Sequence, residues 1–176
     1  GRQRRAGGDP GARRNRVGED DGVKRNILRR CGGVDCGGTV VPASSPADAV
    51  LAEEPDGIFL SNGPGDPDAV VYAPGIIRAL TSAGIPIFGI CLGHQLLGLT
   101  FGGSTVKMPY GHRGGNHPVK EVETGKVLIT AQNHGFAVEG DERSVKGAGE
   151  LEVTPVNLND RTVEGPPPPQ LPACPP

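Results

Sequence analysis

The sequence predicts an α/β fold, a parallel sheet flanked by helices with an antiparallel extension. Three observations predict it. Short apolar runs alternate with helix-like stretches between Thr39 and Phe101, the signature of strand–helix–strand units. Beyond Gly102 the texture changes to short runs of alternating character, as in an antiparallel meander. Between the two, Cys91 stands between Gly89 and Gly93, directly after the run Ile85-Pro86-Ile87-Phe88. That is the layout of a nucleophile elbow, a sharp strand-to-helix turn presenting one reactive side chain.

Each element follows from local chemistry. Val23 to Arg30 has the pattern of a short basic helix, and Thr39 to Val41 is a brief β-branched strand ended by Pro42. Pro46 to Glu54 reads as a helix with Ser45 as N-cap and Pro46 in the first helical position. Gly57 to Leu60 is a buried strand, followed by the turn-rich Ser61-Asn62-Gly63-Pro64-Gly65-Asp66-Pro67. Val70 to Ala83 is helical, with Pro74-Gly75 marking its true start. Strand Ile85 to Ile90, the elbow and helix His94 to Phe101 complete the parallel part. The extension is expected to use Ser104 to Met108, Val119 to Val122, Val127 to Thr130, Phe136 to Val138 and Leu151 to Leu158.

Composition bounds the rest. With 176 residues the chain can bury a real core, but aromatic residues make up only 3% and Trp is absent. The core must therefore come from Val, Ile, Leu and Ala. Charge is uneven. Residues 1–30 carry ten Lys and Arg against four Asp and Glu, a net +6, which leaves −8 for the remainder. The basic arm has no aromatic residue to stack on a base, which argues against nucleic-acid binding. No 18-residue apolar run exists, so no transmembrane helix is expected, and the first 20 residues lack a signal peptide's apolar core.

Four cysteines (Cys31, Cys36, Cys91, Cys174) are too scattered for a secreted disulfide framework, so a reducing compartment is expected. Cys31 and Cys36 are loosely spaced for zinc, and nothing nearby completes four ligands. His112 and His117 could pair on a metal, but no third ligand stands at a sensible spacing, so no metal site is expected.

Cys91 has two readings. A thiol at a helix N-terminus gains thiolate character from unpaired N–H groups and the helix dipole; equally, cysteine is among the residues most often buried for packing alone. The flanking glycines favour a crowded turn, where side chains would strike the adjoining strand and helix.

From Asp56 onward the chain resembles the class I glutamine amidotransferases, and among them the carbamoyl-phosphate synthetase branch. The resemblance is carried by DGIFLSNGPGDP (Asp56 to Pro67), GICLGHQ (Gly89 to Gln95), GHRGGNHPV (Gly111 to Val119), ITAQNHGFAV (Ile129 to Val138) and VNLNDRTVEG (Val156 to Gly165), with GVKRNILRR (Gly22 to Arg30) before them. It implies a flavodoxin-like glutaminase fold over residues 22–165, between a disordered Arg/Gly-rich arm at 1–21 and a Pro-rich tail at 166–176. It implies that Cys91 attacks the side-chain amide of L-glutamine, and that a large subunit of carbamoyl-phosphate synthetase uses the ammonia. ATP and magnesium would belong to that subunit, with no cofactor in this chain. The N–H groups of Leu92 and the Gly63 loop would form the oxyanion hole. Gly63, Gly65, Leu92, Gln95, Asn133, Gly135 and Phe136 would bind glutamine. A cytoplasmic or plastid-stromal location follows from the same likeness, as do roles in arginine and pyrimidine supply.

Two departures stand out. The family's base is a His followed two residues later by Glu, and no His-x-Glu occurs in the 176 residues; His94, His112 and His134 match other family positions, and His117 lies in the GGNHPV segment. The chain is therefore expected to be inactive in turnover, with a glutamine-binding or interaction module as the alternative. Secondly, the family's central apolar strand is replaced by arginine and glycine, and Arg13 to Gly18 is not expected to serve as a buried parallel strand. Both ends thus read as foreign sequence joined to a glutaminase middle, as in a fragment or a mis-joined frame of a GC-rich gene.

Overall fold

A computed structural model describes residues 4–6, 14–20, 36–141, 144–147 and 155–165. The element order is β1 (Arg4–Ala6), β2 (Arg14–Asp20), β3 (Cys36–Pro42), α1 (Ala47–Leu51), β4 (Gly57–Leu60), a 3₁₀ turn (Pro67–Ala69), α2 (Ala73–Ser82), β5 (Ile87–Gly89), α3 (Leu92–Thr100), β6 (Thr105–Glu121), β7 (Val127–Val138) and β8 (Pro155–Asn157). Five strands form one sheet in the order β1-β3-β2-β4-β5, and three form a second in the order β7-β6-β8. Pairing is parallel for β2 with β3, β2 with β4 and β4 with β5, while β1 runs antiparallel to β3. The second sheet is antiparallel throughout.

One expectation about the amino-terminal region is corrected. Residues 14–20 form β2, which lies between β3 and β4 where no buried strand was expected from arginine-rich sequence. The expectation weighed side-chain apolarity. The slot itself is a backbone requirement, because β3 and β4 would otherwise each present an unpaired row of N–H and C=O groups. The basic helix at 23–30 and the tail at 166–176 lie outside the described residues.

The core of the parallel part is aliphatic, as the lack of aromatics requires. Val41, Val50, Ile58, Leu60, Ala73, Ile77, Leu80, Leu92 and Leu96 form one buried cluster. In β4 the burial alternates, with Ile58 and Leu60 on the buried face. In α2, Ala73, Ile77 and Leu80 fall at helical spacing and face the core. Pro74 lies in its first turn as expected, and the helix stops at Gly84, whose φ of +72° suits a left-handed cap. In α1 the N-cap is Pro46 rather than Ser45, and no side chain caps the helix; the Ser45 N–H instead closes a turn onto the Pro42 carbonyl at 2.9 Å.

The extension has fewer, longer strands than expected. Four predicted runs merge into β6 and β7, which pair from Thr105–Val138 to Lys120–Val127, with shifts in register between Lys107 and His112 and between Gly114 and His117. The sequence between the apolar runs is rich in glycine, but bulges absorb it without ending the ladder. At Gly111 the backbone needs glycine twice over: φ is +66°, and a Cβ would lie 2.6 Å from the His134 carbonyl.

Candidate active site

Cys91 occupies the turn between β5 and α3 with φ 54° and ψ −108°. A positive φ is unfavourable for any residue with a Cβ, and such strain persists only where neighbours over-determine it. Gly89 and Gly93 supply that constraint. A Cβ on Gly89 would stand 2.5 Å from the Gly93 carbonyl carbon, and one on Gly93 would stand 2.3 Å from the Leu60 carbonyl oxygen. The turn is as crowded as its glycines predicted.

The same closeness joins the elbow to the loop after β4. Ile90 N–H donates to the Leu60 carbonyl, and Gly93 N–H donates to Ser61 and Ile90 carbonyls, all at 3.1 Å. Gly63 follows two residues after Ser61 and is half-buried. Gly65 is exposed with φ +104° and open space around it. Leu92 opens α3 and is buried; the N–H groups of a helix's first turn have no intrahelical acceptor. Cys91 itself is half-buried.

The third group lies on β7. Gln95 is buried, and its Nε2 donates to the Phe136 carbonyl at 2.6 Å, tying α3 to that strand. It is thus not the exposed helix residue that its polarity alone would suggest. Close packing allows the tie, since Gly98 lies under Val138 with a virtual Cβ 3.0 Å from a Val138 methyl. Asn133 is exposed opposite Arg113, while Gly135 and Phe136 are half-buried beside the first bulge.

A polar network that sequence reasoning missed stands behind β7. His112 Nε2 bonds Asp160 Oδ2 at 2.6 Å, and its Nδ1 lies 3.3 Å from His134 Nε2. Asn157, fully buried, donates from Nδ2 to Glu164 Oε1 at 2.8 Å. The VNLNDRTVEG segment supplies three of these side chains, but nothing in its spacing signals that they converge on His112. Burial resists ionisation of Asp160, yet hydrogen bonds from His112 and Thr162 outweigh it and hold the carboxyl below its usual value. His94, on α3, is half-buried with its Nε2 fully covered; desolvation first and the nearby His134 second lower its pKa to about 4, against a backbone hydrogen bond at Val163.

The profile of the family described as glutamine amidotransferase class-I matches residues 18–172. The chain belongs to the class I glutamine amidotransferases. It is 56% identical over 139 residues to the carbamoyl phosphate synthase small chain of Syntrophotalea carbinolica, an alignment covering 79% of this chain and 36% of that one. The same protein of Chlorobaculum tepidum is 56% identical over 141 residues, covering 79% and 37%. The chain thus spans about a third of the length of these curated relatives. Among solved structures, a glutamine amidotransferase from Thermotoga maritima superposes with a TM-score of 0.60 at 18% identity, covering 85% of this chain and 69% of its own. One from Methylobacillus flagellatus gives 0.57 at 17% identity, covering 73% and 57%. At that identity the amidotransferase structures speak to the fold, which is the α/β architecture with an antiparallel sheet expected above. Among the described residues, no helix of this amidotransferase chain is long and apolar enough to cross a membrane.

Proposed function

We propose that this chain carries the nucleophile half of a glutaminase site that supplies ammonia for carbamoyl phosphate synthesis by a large partner subunit. The observation that carries the reading is Cys91 held at a strained φ directly before α3. Its thiolate, favoured by the helix N-terminus, attacks the side-chain amide carbon of glutamine. Ammonia leaves with a proton taken from water, and the hydroxide so formed cleaves the glutamyl thioester to glutamate and the free thiol. The Leu92 N–H and one from the Gly63 turn would receive the oxyanion, and one such donor is worth about 3–4 kcal/mol. Gln95 acts through its bond to Phe136, which fixes the β7 wall of the site; Gly65, Asn133 and Gly135 complete the glutamine contacts.

A second reading, glutamine binding without turnover, has its own support. The 176 residues hold no His-x-Glu pair. His94 is the histidine nearest to Cys91 in sequence, and its pKa of about 4 makes it a weak base. Loss of a general base costs about 10²–10⁴-fold in rate. Both readings predict that a glutamine-like electrophile labels Cys91 once per chain, with protection by glutamine and no label in Cys91→Ala. Ammonia release then separates them: none is expected from these 176 residues alone, and release abolished by Cys91→Ala would establish turnover. Absence of labelling would sink both.

A further inference from the structure

We propose that His112, His134 and Glu164 form a binding site for one zinc ion or a similar divalent transition metal. The three come from β6, β7 and the segment after β8, and their ligand atoms all lie within 4.8 Å of one another. His112 is buried and the other two are half-buried.

In neutral imidazoles, hydrogen bonding fixes which ring nitrogens are bare. His112 Nε2 faces the Asp160 carboxylate at 2.6 Å, an acceptor, so in the neutral ring that nitrogen carries the proton and Nδ1 is bare. His134 Nδ1 faces the Phe136 carbonyl at 2.8 Å, also an acceptor, so Nε2 is the bare one. The two bare nitrogens face each other at 3.3 Å. Glu164 Oε1 stands 3.5 Å from His112 Nδ1, and Gln132 Oε1 lies 3.1 Å from His134 Nε2. Lone pairs therefore converge from four atoms; the Asn157 amide, 2.8 Å from Glu164 Oε1 and 3.5 Å from His112 Nδ1, offers them one NH₂ group, and a cation among them would relieve the remaining repulsion.

The spacing suits a metal. Zinc bound tetrahedrally at about 2.0–2.1 Å holds neighbouring ligand atoms roughly 3.3–3.4 Å apart, close to the two distances that His112 Nδ1 makes with its partners. The surroundings suit one too. A ligating histidine ordinarily gives its second N–H to a carboxylate or a backbone carbonyl, and Asp160 and Phe136 fill those roles here. Glu164 is oriented by Asn157 Nδ2 at 2.8 Å. The sequence hid the site because its third ligand is a carboxylate far along the chain, and because His117, not His134, looked like the partner of His112.

The test uses the full chain, stripped with a chelator and then titrated separately with zinc and cobalt(II). One ion per chain should survive gel filtration, and the cobalt spectrum should lack a thiolate charge-transfer band. His134→Gln and Glu164→Gln should each weaken retention at least about tenfold, and Asp160→Asn roughly 10–100-fold through its hold on His112. Glu164→Gln keeps an oxygen for Asn157, so its fold is checked by a thermal melt in chelator. No retained ion, a thiolate band, or retention unchanged in both ligand variants would overturn the site. The stripped chain should still be labelled at Cys91, so this proposal and the glutaminase reading fail independently.

Discussion

In the parallel sheet the functional group is held by backbone crowding, whereas in the antiparallel sheet it is held by side-chain hydrogen bonds. Cys91 is fixed because Gly89, Gly93 and the Leu60 carbonyl leave its turn no room to relax. His112, His134, Asn157 and Glu164 are fixed because each satisfies another's polar atoms. The first arrangement is intolerant of added atoms. The second is sensitive to any change of protonation, since each hydrogen bond in it depends on which partner carries the proton. Helix α3 spans both: Gly93 presses on β4, while Gln95 and Gly98 meet β7.

The harshest way to break the comparison is to put atoms where the elbow has none. Gly93→Val would place its Cβ 2.3 Å from a backbone oxygen and 2.6 Å from Leu60 Cβ, neither of which can swing aside. Overpacking commonly costs about 1–3 kcal/mol when side chains yield, so with backbone in the way the loss should exceed about 3 kcal/mol or prevent folding. Urea unfolding is the measure. A Gly93→Val chain within about 1 kcal/mol of the parent would show that the crowding is not what holds Cys91.

His94, on α3, tests the face that the helix turns to His134 and Val163. Its native pKa of about 4 lies below the ordinary 6.5, so the unfolded chain takes up a proton that the native one refuses. Stability is therefore full above pH 6.5, declines as pH falls from 6.5 to 4, and loses on the order of 3 kcal/mol over that window. Asp160, whose pKa is also depressed, adds acid sensitivity of the same sign at lower pH. Urea midpoints at several pH values, in chelator, should show this slope and its absence in His94→Gln. An equal slope in both chains would place the acid sensitivity elsewhere.

These two regions were also unequally legible in the sequence. The elbow could be read because its requirements are local: two glycines, an apolar run before and a helical pattern after. Gly57 to Leu60 was legible for the same reason, its end fixed by the turn residues beyond. The long hairpin was not, because Gly111 and Gly114 look like breaks and are bulges within one ladder. β2 was missed because a strand between two others is specified by its neighbours' backbones as well as by its own side chains. The His112 network was hidden most completely. Asp160 and Glu164 lie 48 and 52 residues from the ring they approach, and no periodicity links them.

The smallest expected effect has the opposite sign and bears on the elbow alone. Cys91 at φ 54° stores strain of about 1–3 kcal/mol, which glycine would release. Glycine also gains freedom in the unfolded chain, which returns roughly 0.5–1 kcal/mol of that. Cys91→Gly should thus be more stable than Cys91→Ala by about 1 kcal/mol, although both remove the nucleophile and neither can be labelled. Alanine is the right reference because it keeps the Cβ, and with it the strain, while losing the sulfur. Equal stability of the two would mean that the turn relaxes once the thiol is gone, and that Cys91 is held by its own contacts and not by the glycines around it.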